Sequence, residues 1–360
     1  NASLETGIDN PLDAAIVANL RSALPAFAPP SKVDEIPYDF LRKRLTVVVE
    51  DTDQAGMHTV ITKGAFDNVV ACCAHIATPA GTLPIGEACL KDIHKFYEDR
   101  SRDGFRVLGV ASRTLAQKLH YERADESDMV FEGFLLFFDP LKDGIESTIK
   151  SLAAMGIRTK IVSGDNRHVA AHVAASVGLD AERLLTGRQL NDMRQEALWR
   201  LASEIDVFAE VDPQQKERIV RALQHSGHAV AYMGDGINDA PALRIADVGV
   251  SVDQAVDVAR ESADIVLLQR DLDVLRQGVI DGRRTFANTL KYIQITTSAN
   301  FGNMISMALA TLFIPFLPLL AKQILLNNFL SDIPSLAIST DNVDPEIAHA
   351  SQRWDIGRIW

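Results

Sequence analysis

Carboxylate and hydroxyl side chains stand directly after three apolar runs, and these residue types could bind a metal ion and a phosphate. The run FLLFF precedes Asp139, KIV precedes Ser163, Gly164 and Asp165, and AVAYM precedes Asp235, Asn238 and Asp239. Mg²⁺ prefers hard oxygen ligands and is commonly held by carboxylates together with substrate phosphates. Asp235 is the first ligand candidate, and Lys216 in VDPQQK could place a positive charge against phosphoryl oxygens. The pattern therefore predicts a magnesium-dependent site for phosphoryl chemistry.

The elements that must position these residues alternate between short apolar runs and amphipathic segments after about residue 130. FEGFLLFF is followed by the helical pattern DGIESTIKSLAAMG, RTKIVSG by NRHVAAHVAASVG, and HAVAYMG by NDAPALRIA. This alternation predicts a parallel sheet covered by helices, with ligands at the carboxyl ends of its strands. Before that point, RLTVVVE, HTVITKG and FRVLGVASRTL predict an antiparallel sheet with helices. The sequence is therefore of the α/β class with two differently built sheets.

Two common phosphate-binding fingerprints are excluded. GDGIND begins like G-x-G-x-x-G, but Asp239 occupies the third glycine position, where its charge would oppose a pyrophosphate. The P-loop pattern G-x-x-x-x-G-K-[ST] does not occur in the sequence. The predicted site therefore differs from those of Rossmann dinucleotide-binding proteins and P-loop NTPases.

The overall charge excludes nucleic acid as the main partner. The 360 residues carry a formal net charge of -12, whereas nucleic-acid binders concentrate positive charge to displace counterions. Cys72, Cys73 and Cys89 make a poor disulfide framework, which indicates a reducing compartment. Cys72 and Cys73 with His75 leave a soft-metal site open as an alternative. The segment AFDNVVACCAHI is more typical of an apolar helix face with small buried thiols.

Charge almost disappears after about residue 290, where the sequence predicts two membrane helices at about 290–314 and 321–340. A buried helix pair in a soluble protein is the alternative. Polar residues are costly in a bilayer and usually mark an ion path. They could instead join the helices by hydrogen bonds. The candidates for an all-oxygen site for a hard cation are Asn300, Asn303, Asn328, Ser331 and Asp332.

Four ordered motifs, DPLKDGI, SGDN, DPQQK and MGDGINDAPAL, together with Lys63-Gly64-Ala65, resemble those of P-type ATPases. The resemblance implies a HAD-like parallel-sheet phosphorylation domain at 131–285 that lacks its first strand. An inserted α+β nucleotide-binding domain would occupy 1–130, and a transmembrane helical hairpin with the following cytoplasmic loop would occupy 286–360. The chain opens without an initiating methionine, and we expect it to start and stop inside a longer protein.

The resemblance also implies a role for each motif residue. Asp235 would bind the catalytic Mg²⁺, with Asn238 and Asp239 supporting the site. Ser163, Gly164 and Asp165 would contact the transferred phosphate or ATP, and Lys216 would stabilise it. The implied nucleotide-binding residues are Tyr38 (with Phe40 as the alternative adenine-stacking residue), Lys63, Gly64, Arg106 and Asp139.

The segment NNFLSDIPSLAISTDNVDPE resembles bacterial magnesium-transporting P-type ATPases. This implies ATP and Mg²⁺ as cofactors, transported Mg²⁺, membrane lipid and the remainder of the pump as partners, and a multi-pass protein of the bacterial plasma membrane. Asn303 replaces the acidic residue that calcium pumps carry in their fifth helix. The family's DKTGT motif, which holds the phosphorylated aspartate, does not occur in the sequence and would precede Asn1. A pump for Ca²⁺ or H⁺, a soluble HAD-type phosphohydrolase and a non-catalytic nucleotide-binding regulator stay open as alternatives.

Overall fold

The structure is a computed structural model that describes residues 1–6, 11–24, 29–39, 42–51, 54, 56–269, 271–316, 318–344 and 346–347. Phe40, the alternative adenine-stacking residue, lies outside the described residues. The first part of the chain forms one seven-stranded sheet in the order β1-β2-β3-β6-β7-β4-β5. Its strands are β1 (Lys32–Asp39), β2 (Arg44–Glu50), β3 (Met57–Ala65), β4 (Cys73–Thr78), β5 (Gly81–Pro84), β6 (Arg106–Ala116) and β7 (Met129–Phe137). Its helices are α1 (Pro11–Ala23), α2 (Phe66–Val70) and α3 (Glu87–Arg102).

The predicted strands RLTVVVE, HTVITKG and FRVLGVASRTL are confirmed as β2, β3 and β6, which pair antiparallel as expected. β-Branched side chains suit this pleated surface, and Val47 and Val48 are fully buried. The core on one face of the sheet is formed around Phe66 and Phe131, whose rings meet edge to face with centroids 6.2 Å apart, within the roughly 4.5–7 Å typical of aromatic pairs. The first sheet is therefore predominantly antiparallel and packs against a hydrophobic core of its own.

The prediction that FEGFLLFF belongs to the parallel sheet is wrong. This segment forms β7, which pairs antiparallel with β6 and parallel with β4 inside the first sheet. It does not begin the parallel sheet, because its partners in the first sheet cover it on both edges. Asp139, two residues beyond β7, therefore does not share a sheet edge with the other predicted site residues.

The second part contains two three-stranded parallel sheets, in the orders β8-β10-β9 and β11-β12-β13. Their strands are β8 (Ile161–Val162), β9 (Leu184–Thr186), β10 (Val207–Ala209), β11 (Ala231–Met233), β12 (Val248–Val252) and β13 (Ile265–Leu267). The intervening helices are α4 (Ile145–Ala154), α5 (Arg167–Ser176), α6 (Gly187–Asp192), α7 (Gln195–Leu201), α8 (Pro213–His225), α9 (Ala240–Ile245) and α10 (Asp257–Ser262). Val162 and Val230 pack against the cores of both sheets. The predicted parallel α/β architecture is confirmed for this part.

The C-terminal part consists of a long helix, α11 (Leu272–Phe313), then α12 (Ala321–Ser335) and a 3-10 helix at Leu336–Thr340. Arg283 of α11 donates to the carbonyl of Met155 at 3.0 Å, which ties the helix to the end of α4. Near the middle of α11, Lys291 pairs with Asp341 at 2.9 Å. The chain after the 3-10 helix is therefore held against α11.

None of the helices within the described ranges combines the length and the apolar character needed to cross a membrane. The prediction of two membrane-spanning helices is therefore not confirmed. Asn300 and Asn303 interrupt the apolar stretch of α11, and α12 has 15 residues, fewer than the roughly 20 that a spanning helix needs.

Candidate functional site

The loop after β8 brings two predicted site residues into direct contact. The Ser163 hydroxyl donates to the Asp165 carboxylate at 2.8 Å, and the Asp165 amide donates back to the hydroxyl oxygen at 3.1 Å. The Ser163 amide continues the pairing of β8 with β10 by donating to the Phe208 carbonyl at 2.8 Å. Gly164, between them, is exposed. The tip of β8 therefore presents a fixed hydroxyl and carboxylate at the carboxyl edge of its sheet.

The second cluster joins Lys216 of α8 to the loop after β11. The Lys216 ammonium lies 2.7 Å from Asp239 Oδ1, and the Tyr232 hydroxyl donates to the same oxygen at 2.9 Å. Asp239 Oδ2 accepts from the Gly236 amide at 3.1 Å. Burial alone would raise the pKa of Asp239, but the hydrogen bond and charge of Lys216 and the Tyr232 hydroxyl lower it. The carboxylate is therefore ionised at neutral pH, and it orients the lysine.

The sequence between the strands explains how Lys216 reaches this position. Asp212 caps α8 by accepting from the Gln215 amide at 2.8 Å, and Pro213 occupies the first helical turn. Proline is preorganised for a helix start, and the cap satisfies an amide that has no partner inside the helix. The DPQQK motif therefore begins the helix one turn before the lysine.

Gly234 is required where the β11 loop turns back on itself. A Cβ atom at this position would lie 2.4 Å from Asp239 Cβ. We expect Gly234→Ala to displace Asp239 and to lower the free energy of unfolding by about 1–3 kcal/mol, the usual cost of overpacking. Urea denaturation of the two proteins measures the difference.

The matched control for this substitution is Gly278→Ala in α11, where the added Cβ would have no heavy atom within 4 Å. Alanine is the better helix former, so this variant should be as stable as the parent or more stable. Equal stability of Gly234→Ala and the parent would contradict the close approach of Gly234 and Asp239.

Asp235 and Asn238 both have exposed side chains beside this cluster. The Asp235 carbonyl accepts from the Val256 amide at 3.1 Å, which fixes the backbone of the loop. In the part of the chain that the structure describes, no three His, Cys, Asp or Glu side chains converge as a metal-binding group. The carboxylate donor chemistry of Asp235 fits Mg²⁺, which keeps several waters and takes one or two protein carboxylates.

Lys63 and Gly64 lie at the end of β3. A Cβ on Gly64 would lie 2.4 Å from the Lys43 carbonyl, so the motif glycine permits close packing on β2. The buried Lys63 ammonium binds Glu5 at 3.0 Å and also contacts Asp13 of α1. Burial, and then the neighbouring Asp13, raise the pKa of Glu5.

Glu5 and Asp13 are site neighbours that the sequence interpretation missed. They lie 58 and 50 residues from Lys63 along the chain. Nothing in the spacing predicts this pairing. The acidic residue in the first turn of the amphipathic segment PLDAAIVANL was the one available signal.

Arg106 lies at the junction of the two parts of the chain. Its guanidinium is exposed and stands 3.8 Å from the Asp165 carboxylate. Burial raises the pKa of Tyr38, and the positive charge of Arg106 acts in the opposite direction. Tyr38 is half exposed in β1. The predicted nucleotide residues Tyr38 and Arg106 therefore influence one another, and Arg106 also reaches the predicted phosphate loop.

Two further contacts hold α3 against α5 at this junction. The Asn166 side-chain amide donates to the Tyr97 hydroxyl, and His172 Nδ1 lies 2.9 Å from the Arg102 carbonyl. Asp139, two residues after the end of β7, has an exposed side chain. The first sheet and the β8 loop thus meet through specific polar contacts.

The structure does not bring the predicted cation ligands into one bonded group. All five of these residues, Asn300, Asn303, Asn328, Ser331 and Asp332, have exposed side chains. The Ser331 hydroxyl donates within α12 to the Asn327 carbonyl at 2.9 Å. Across residues 271–316 and 318–344, no hydrogen bond or ion pair joins the α11 and α12 members of this set.

Comparison with known proteins identifies relatives of this chain. The chain is 44% identical, along its whole length, to the magnesium-transporting ATPase, P-type 1, of Escherichia coli K12, and 43% identical to that of Salmonella typhimurium. It is 30% identical, over 89% of its length, to a calcium-transporting ATPase of Bacillus subtilis. The chain spans 40% of the length of the magnesium-transporting relatives.

A family model described as haloacid dehalogenase-like hydrolase matches residues 41–247. The match includes the Ser163–Asp165 loop, Lys216 and the Asp235–Asp239 loop. It covers more than half of the chain. The chain therefore belongs to the haloacid dehalogenase-like hydrolases.

Proposed function

We propose that this chain forms the nucleotide-binding and phosphorylation parts of a P-type ATPase that imports Mg²⁺ across the bacterial plasma membrane. The observations that carry the proposal are the Ser163–Asp165 loop after β8 and the Lys216–Asp239 pair in the loop of Asp235, in a chain that aligns along its whole length with magnesium-transporting relatives. In this proposal the units are residues 1–130, 131–285 and 286–360, except that residues 131–137 belong to β7 of the first sheet. Tyr38, Lys63, Gly64, Arg106 and Asp139 hold ATP.

The strand-tip residues suit phosphoryl transfer, which depends mainly on positioning and on stabilising charge. Lys216, oriented by Asp239, supplies a fixed positive charge for the phosphoryl oxygens. Ser163 and the backbone at Gly164 offer hydrogen bonds from the opposite loop. Asp235, with Asn238 beside it, would hold the Mg²⁺ ion, which neutralises phosphate charge when bound.

The unpaired edges of β8 and β11 support a further strand in the assembled protein. Within the described residues, β8 pairs with β10 alone and β11 pairs with β12 alone, so β8 and β11 each lie at an edge of their sheet. Val162 on β8 and Val230 beside β11 pack against the same cores. We propose that a strand carrying the phosphorylated aspartate joins these edges and places its carboxylate between the Ser163 and Asp235 loops.

The C-terminal helices support a membrane role in the assembled pump. Their large apolar side chains are exposed, among them Phe301, Met304, Leu312, Leu325 and Phe329. Exposed apolar surface of this kind marks contact with other helices or with lipid. In the proposal these side chains contact lipid and the remaining membrane helices, and the actuator domain belongs to the rest of the same protein.

Asp332 tests the cation assignment. We expect Asp332→Asn in the whole protein to abolish Mg²⁺-dependent growth rescue of a magnesium-auxotrophic strain while ATP binding is kept, because the carboxylate is the one anionic group among the proposed ligands. The control is Asp344→Asn, which removes an exposed carboxylate beyond the 3-10 helix. Rescue by Asp332→Asn equal to that of the parent would refute its role as a transport ligand.

A Ca²⁺ pump is the second candidate, because a calcium-transporting relative is 30% identical. Vesicles containing the whole protein, supplied with ATP and with Mg²⁺, Ca²⁺ or Ni²⁺ in turn, separate the two. Uptake of Mg²⁺ supports the proposal. ATP-driven uptake of Ca²⁺ alone would replace it with the calcium assignment.

A further inference from the structure

Three sulfur atoms converge where α2 gives way to β4. The predicted helix face does not extend over this segment, because α2 ends at Val70 and β4 begins at Cys73. The resulting turn directs the Cys72 and Cys73 thiols to one acceptor, the Val69 carbonyl, at 3.0 and 3.1 Å. Cys72 Sγ also lies 3.7 Å from Met129 Sδ. Cys73 is paired with Met129 in the parallel register of β4 and β7, which fixes the three side chains relative to one another.

The two cysteine thiols are accessible to solvent, and the methionine sulfur beside them belongs to a buried side chain. Both thiols are partly exposed and free, whereas Met129 is fully buried. Interaction with the neighbouring thiol lowers the pKa of Cys72 and raises that of Cys73, burial raises the pKa of both, and the positive charge of Arg44 acts to lower both. Arg44 is itself held by the Glu126 carboxylate and the Asn68 carbonyl, each at 2.8 Å.

We propose that Cys72, Cys73 and Met129 form a binding site for a thiophilic monovalent cation of the Cu⁺ type. Soft thiolate and thioether ligands suit Cu⁺, Zn²⁺ and iron–sulfur clusters among the biological metals, and such clusters are held by four cysteine thiolates. Two sulfur ligands at about 2.3 Å from a metal stand about 4 Å apart in a trigonal arrangement, close to the 3.7 Å between Cys72 and Met129. A structural zinc site would require four ligands, and His75 does not join the cysteines in a metal-binding group.

Binding is a ligand exchange without a change of oxidation state. Cu⁺ forms bonds to both cysteine sulfurs and to the thioether, and the two thiol protons leave to solvent. The resulting dithiolate complex carries one negative charge. The fixed guanidinium of Arg44 compensates that charge, so the site accepts a monovalent ion without burying an unpaired anion.

The test is an anaerobic titration of the 360-residue chain with Cu⁺ against a chromogenic Cu⁺ chelator. We expect one retained equivalent in the parent and in Cys89→Ser, the matched control, since Cys89 packs on the same core without a sulfur contact in the described residues. Cys72→Ser and Cys73→Ser should each lose affinity by at least the roughly 10–100-fold that supporting partners of a metal site contribute. Met129→Leu preserves volume and should weaken binding while circular dichroism stays unchanged.

Each outcome decides a part of the assignment. Failure of the parent to retain Cu⁺, or equal loss in Cys89→Ser, would overturn the site. Parent-like affinity of a folded Met129→Leu variant would overturn the thioether ligand. Parent-like affinity in both serine variants would show that copper binds elsewhere.

Discussion

Replacing Lys216 by methionine in the whole pump should lower the rate of ATP-dependent phosphoenzyme formation by about a hundredfold or more. Removing one preorganised charge-stabilising donor costs this much in comparable sites. The side chain is 12% exposed and bonded to Asp239 at 2.7 Å, so its ammonium is fixed before the phosphate arrives. Single-turnover labelling with γ-³²P ATP measures the rate.

A second variant separates this catalytic effect from a structural one. Lys216→Met leaves the Asp239 carboxylate with Tyr232 and Gly236 but without its cation, which should also destabilise the protein. Lys216→Met combined with Asp239→Asn removes the unpaired charge and should recover stability without recovering the rate. Lys150→Met, which breaks an exposed pair with Glu146, serves as the control. Full recovery of the rate in the double variant would contradict the proposed role of Lys216.

The largest expected loss of stability follows from removing Glu126. Its fully buried carboxylate accepts from Arg42 at 2.6 Å, from Arg44 at 2.8 Å and from the Thr46 hydroxyl at 2.7 Å. Glu126→Ala removes the anionic partner of two guanidinium groups and one hydrogen-bond acceptor of the buried Thr46 hydroxyl. Breaking a buried ion pair from one side costs about 3–5 kcal/mol. Urea denaturation of the chain measures this loss.

Glu126 also predicts a dependence of stability on pH. Burial works to raise its pKa, but the hydrogen bonds from Arg42, Thr46 and Arg44 prevail and lower it below the ordinary value of 4.5. A carboxyl whose folded pKa is depressed stabilises the fold above its unfolded pKa. That contribution disappears as the pH falls from about 4.5 through the lower folded value.

The matching variant is Glu126→Gln, which keeps the shape but cannot ionise. Its free energy of unfolding should change less than that of the parent between pH 5 and about pH 3. Glu146→Gln, at an exposed helical pair, should follow the parent curve. An identical acid limb for the parent and Glu126→Gln would exclude Glu126 as a source of acid sensitivity.

The sequence predicted correctly those elements whose structure depends on residues close together in the chain. The β-branched run of β2 and the capping sequence of α8 specify strand and helix through neighbouring residues. The loops after β8 and β11 follow their strands as predicted, although the two strands lie in separate sheets. Lys216 was identified from the DPQQK motif, although its ion pair with Asp239 spans 23 residues.

The errors arose where distant partners decide the structure. β7 has the composition of a buried strand in either sheet, and only its pairing with β6 and β4 assigns it to the first. The partners of Lys63 come from a segment near the chain start, which no spacing rule connects to β3. Cys72 and Cys73 fit a helical pattern, but pairing of Cys73 with β7 imposes a strand.

The position of β7 inside the first sheet also sets an order for folding during synthesis. The β4-β5 pair joins the β1-β2-β3-β6 group only through β7, the last of these strands to leave the ribosome. Two-stranded pairs are marginal on their own, and domains fold as their segments emerge. The sheet that carries Lys63 therefore stays in two pieces until Phe137 has been translated and has cleared the exit tunnel. A chain stalled before β7 would present the unpaired edges of β6 and β4 to chaperones or to a neighbouring nascent chain.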